Sequence, residues 1–67
     1  MITTFSEPLQ QIIDSFMGDL DDSLLHLYDQ LQAVQSRQER NQLKAMYNDL
    51  AAHINKERKF KAYKLLK

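Results

Sequence analysis

Three features of the sequence predict an all-α fold. The chain holds a single Gly and a single Pro, with few β-branched residues, which favours helix over sheet. An apolar ladder (Leu9, Ile13, Phe16, Leu20, Leu24, Leu27, Leu31, Val34) climbs in steps that average about 3.6 residues, the α-helical period. The ladder then stops: no apolar residue falls between Val34 and Leu43, and the charge reverses across the gap. Residues 1–35 carry six carboxylates and no Lys or Arg, whereas residues 36–67 carry all nine Lys and Arg against three acids. A helical hairpin turning in the gap accounts for all three observations.

The first helix is expected near residues 8–17. Pro8 suits a first helical position, because its fixed φ is helical and its missing N–H would have had no partner there. Ser6 or Glu7 then caps it. The segment Gly18-Asp19-Leu20-Asp21-Asp22-Ser23 holds five poor helix formers in six residues. Gly18 can close the first helix and Asp19 can cap a second. The unbroken phase of the ladder argues for continuity instead; a break or sharp kink is the expectation adopted.

A second helix is expected near 20–35, followed by a turn at Gln35-Ser36. Ser36 with Glu39 fits a capping box, in which each side chain bonds the other residue's free backbone N–H. The third helix is expected near 37–62, with a stripe of Leu43, Met46, Tyr47, Leu50 and Ile54 and small alanines beside it. Beyond Ile54 the pattern fades into a basic tail, residues 56–67. Continued as helix, this tail would lie opposite residues 4–15, where Glu7 and Asp14 are the acids available to neutralise it.

Sixty-seven residues make one small domain, spanning 1–67, with little apolar surface to set against the cost of ordering the chain. No cysteine is present to supply a disulfide or a thiolate metal site. Company is therefore expected, as a helical-bundle homodimer, a protein partner, or both. The residues Phe16, Met17, Leu24, Leu25, Tyr28 and Tyr47 exceed what a two-helix hairpin covers, and they form the expected partner-binding stripe. No apolar run is long enough to cross a membrane. The N-terminal residues lack the basic start and apolar stretch of a signal peptide, and a cytoplasmic location is expected.

Chemistry is sparse. His26 and His53 form i,i+4 pairs with Asp22, Asp49 and Glu57, but neither His-Glu-x-x-His nor Glu-x-x-His occurs, and ordinary surface histidines are the better reading. There is no Gly-rich phosphate loop and no nucleophile elbow. No catalytic, metal or cofactor site is expected. The expected function is a non-catalytic protein–protein interaction module, a small regulator or adaptor with complementary acidic and basic patches. The alternative is a nucleic-acid binder: Lys56, Arg58, Lys59, Lys61 and Lys64 neutralising phosphates while Phe60 and Tyr63 stack on bases.

Overall fold

The computed structural model describes residues 5–57 and 63–66. Three helices account for most of them: α1 Glu7–Ser15, α2 Leu20–Ala33 and α3 Arg37–Glu57. Helices α2 and α3 form the antiparallel hairpin, and α1 folds back against it. The described residues contain no strand.

The first helix begins one residue before the proline. Glu7 places its carboxylate in the first turn, where the helix dipole is positive, and Pro8 follows at the second position, still among the N–H groups that no carbonyl reaches. Ser6 is the N-cap residue, but its side chain makes no capping bond. Leu9 and Ile13, one turn apart, are buried. The Phe5 ring meets His53 of α3 edge-on, with centroids 5.0 Å apart, and so pins the entry of α1 to the hairpin.

The break at Gly18 is real, and its geometry is that of a Schellman closure. The Gly18 N–H donates to the Ile13 carbonyl at 2.9 Å and the Met17 N–H donates to Asp14 at 3.0 Å. The left-handed residue that this motif requires is therefore Met17, at φ 56°, with Gly18 following at φ 81°. Asp19 then starts α2 as expected: its Oδ1 accepts the Asp22 N–H at 3.0 Å. Ser23, fully buried, donates its hydroxyl to the Asp19 carbonyl at 2.7 Å, so this buried polar side chain is satisfied.

Helix α2 ends at Ala33, two residues before the expected limit, because Val34 is already extended at ψ 139°. Ser36 Oγ accepts the Glu39 N–H at 3.4 Å, a long bond that realises one half of the capping box. The core comprises Leu9, Ile13, Leu24, Leu27, Tyr47, Leu50, Ala51 and Ile54, with Leu20, Leu31, Leu43 and Met46 packed around it. These are the two stripes read from the sequence, laid face to face.

The end of the chain departs from expectation. Helix α3 reaches Glu57, and the expected continuation over 58–62 lies outside the described residues. Residues 63–66 are not helical. They run back along α3, antiparallel to it, instead of onward past residues 4–15.

Candidate functional site

The surface with most structure to offer is the flank of the hairpin on which residues 63–66 lie. Two asparagines of α3 hold this segment by its backbone. Asn55 donates from Nδ2 to the Tyr63 carbonyl at 2.8 Å and accepts the Tyr63 N–H on Oδ1 at 2.7 Å. Asn48 repeats the pattern on Leu66, at 2.7 Å to the carbonyl and 2.6 Å from the N–H. Seven residues of helix rise about 10.5 Å, and three residues of extended chain reach about 10 Å. The two amides are thus spaced to take the first and last residues of an extended four-residue segment.

Side chains follow the same register. Tyr63 and Leu66 are half-buried against the core, while Lys64 and Leu65 between them are exposed. Both ends of the segment thus face the hairpin, and the two residues between them face solvent. The Tyr63 hydroxyl donates to Asp21 Oδ1 on α2 at 3.1 Å, so the segment bridges both helices of the hairpin. Asp21 shares one face of α2 with Leu25 and Tyr28, four and seven residues on. The opposite flank of α3 belongs to α1, through His53 and Phe5.

The residues expected to form a partner-binding stripe do not share one fate. Leu24 and Tyr47 are core residues, 2% and 7% exposed, and they are withdrawn from the stripe: the hairpin covers them itself. Phe16 is half-buried, with its ring 5.4 Å from His26 at the α1–α2 corner. Met17, Leu25 and Tyr28 remain open, at 97%, 58% and 44%. Met17 stands alone at the corner. Leu25 and Tyr28 stand together beside the tail, with the Tyr28 ring 6.1 Å from Tyr47. Burial holds the Tyr47 phenol above the usual tyrosine range, and the neighbouring Tyr28 and Tyr63 add to the shift.

Of the basic-tail residues, Lys56 and Lys64 are exposed. Arg58, Lys59, Phe60 and Lys61 lie outside the described residues. Asn55 holds the backbone of Tyr63, while the Tyr63 hydroxyl donates to Asp21 and the half-buried ring packs on the core. Among the described residues no three His, Cys, Asp or Glu side chains gather as metal ligands do. His53 lies 4.0 Å from Glu57, a single i,i+4 pair. A hollow of about 520 Å³ beside Ser6, lined by Ala45, Met46, Asn48 and Asp49, offers one carboxylate and no second ionisable group.

Sequence reading assigned no role to Asn48 or Asn55, and it marked Asp21 only as one of the carboxylates of an acidic patch. A signal existed: two helix-disfavouring amides seven residues apart share one flank of α3, off its apolar stripe. What it marked became legible only with the tail in place.

Among the described residues, fold and surface define a small bundle of three helices with a flank that grips backbone. No family model matches the chain, and no curated protein or solved structure is significantly similar to it. Among the described residues no helix is long and apolar enough to cross a membrane.

Proposed function

We propose that this chain is a non-catalytic protein–protein interaction module, a small cytoplasmic regulator or adaptor that pairs with a second copy or with a protein partner. The observation that carries the reading is the Leu25–Tyr28 pair: two large apolar side chains, a turn apart, left exposed on one flank of the hairpin. The acidic α2 start (Asp19, Asp21, Asp22) and the basic residues after Ser36 supply charge that orients such a contact.

Sedimentation equilibrium over a concentration series, on the wild type and on Leu25→Glu/Tyr28→Glu, tests the reading. Both positions are exposed, so the double variant should keep its helix content, with a folding cost within about 1 kcal/mol. Association of the wild type that the variant loses, and that persists as salt rises, is the expected result. A pull-down from nuclease-treated lysate with the same two proteins extends the test to a foreign partner. A wild type that stays monomeric at every concentration and captures nothing the variant does not also capture would sink the proposal. Capture that disappears steeply with salt would point instead to phosphate contacts by the basic residues.

A further inference from the structure

The grip of Asn48 and Asn55 on residues 63–66 has a property that ordinary tail packing lacks. Each amide engages both the N–H and the C=O of a single residue, and those groups are the same in every amino acid but proline. The four bonds therefore recognise an extended backbone and ask nothing of its sequence. Sequence enters at two places. The first position carries a phenol that reaches the Asp21 carboxylate; the last carries an apolar side chain packed on the core.

The flank is also larger than its resident. Tyr63 lies level with Asp21 on one wall and Asn55 on the other. Asn48 holds Leu66 at the other end of the segment, and helix spacing sets Tyr28, seven residues on from Asp21 and with its ring 6.1 Å from Tyr47, on the facing side of the hairpin. Leu25 stands between Asp21 and Tyr28 on the α2 side. Leu66 fills its place in part, Leu65 stays 51% exposed, and Leu25 and Tyr28 stay uncovered beside them. A segment with bulkier side chains at those last two positions would cover this wall while keeping every backbone bond.

From this we infer that the flank is a peptide-binding groove. Its ligand is an extended segment of a partner protein, reading tyrosine, any residue, then two bulky apolar residues; residues 63–66 (Tyr-Lys-Leu-Leu) are a resident intramolecular competitor for it. The inference rests on the interaction-module reading and specifies the partner of the Leu25–Tyr28 seam. Being tethered, the tail acts at an effective concentration on the order of millimolar, so a segment in trans must bind the groove better than the tail does, or must meet a chain whose tail is disengaged.

The experiment uses the full chain and a fluorescein-labelled peptide, Ala-Tyr-Lys-Trp-Leu-Ala, followed by anisotropy. The tail is emptied by Tyr63→Ser/Leu66→Ser, which leaves both asparagines in place. This variant should bind the peptide saturably, at least about tenfold more tightly than the wild type. Adding Asn48→Ala/Asn55→Ala should weaken binding by a further tenfold or more, on the order expected for four lost hydrogen bonds. A control peptide with Phe in place of Tyr should bind several-fold more weakly, for want of the Asp21 bond.

A second readout needs no substitution: excess peptide added to the wild type should speed amide hydrogen exchange at Tyr63 and Leu66 as the tail is displaced. Absence of saturable binding to a tail-emptied chain of wild-type helix content overturns the inference. So does binding that survives loss of both amides. A wild-type dimer dissolved by the asparagine substitutions would name a second copy's tail as the occupant, and would equally overturn an external ligand. The asparagine variants touch neither Leu25 nor Tyr28, so failure here and failure of the seam to drive association are separate results.

Discussion

Met17 occupies a conformation that L-residues other than glycine seldom adopt. At φ 56° it is the left-handed residue of the closure that ends α1, and its side chain, almost wholly exposed, gains nothing there in return. Left-handed backbone costs a non-glycine residue about 1 kcal/mol or more. Met17→Gly should therefore stabilise the protein by up to about 1 kcal/mol, the strain relieved being partly offset by the greater freedom of an unfolded glycine. Gly18 should respond in the opposite sense. A Cβ added at Gly18 would meet no atom within 4 Å, so Gly18→Ala is penalised by its φ of 81° alone, again by about 1 kcal/mol. Urea midpoints for the two variants decide the matter, and two shifts of the same sign would contradict it. The break itself was legible in Gly18 and the aspartates after it. That the left-handed burden falls one residue early was not, because the closure's register depends on where Leu9 and Ile13 must point, and that is set by packing.

At the scale of elements, apolar spacing carried most of the information. Leu20, Leu24, Leu27 and Leu31 on α2, with Leu43, Tyr47, Leu50 and Ile54 on α3, were readable as facing stripes and do face each other. Leu27 is fully buried at the centre, and Leu27→Ala should cost about 3 kcal/mol by lost burial and the cavity left behind, enough to unfold much of so small a domain. The tail was not readable in this way. Beyond Ile54 its apolar residues fall on no helical face, and the pattern can only announce that a helix weakens. It cannot say that Tyr63 and Leu66 return to α3, since what holds them is backbone bonded to side-chain amides, which leaves no hydropathic period. Those amides make a specific prediction for hydrogen exchange. Asn48→Ala should release the Leu66 amide and spare Tyr63, whereas Asn55→Ala should release Tyr63 first; uniform loss of protection in either variant would mean that the segment is held some other way. Burial also narrows the stripe expected from the sequence: Leu24 and Tyr47 are core, whereas Met17, Leu25 and Tyr28 stay exposed.

Viewed whole, the molecule joins its core to its open flank through three tyrosines, and alkali reports on that junction. Tyr47 is buried, its ring lies against the partly open Tyr28, and burial together with Tyr28 and Tyr63 raises its phenol above the ordinary value. An unfolded chain loses the same proton near pH 10. Below that pH both states keep it and the contribution to stability is complete. Above it the unfolded chain ionises first and binds fewer protons than the native state. Stability therefore falls as pH rises towards and through the native value. Tyr47→Phe removes this component, so its urea midpoint should decline less between pH 9 and pH 11 than that of the wild type, whatever the offset between them at neutral pH. The proposed pairing predicts a second dependence. A second copy seated on Leu25 and Tyr28 would bind the native state alone, so mass action should carry the alkaline unfolding midpoint upward with protein concentration. Leu25→Glu/Tyr28→Glu should abolish that concentration dependence. A wild-type midpoint that does not move over a hundredfold range of concentration would show the flank to be closed to a second copy, and would leave a foreign segment as the occupant its two asparagines are spaced to grip.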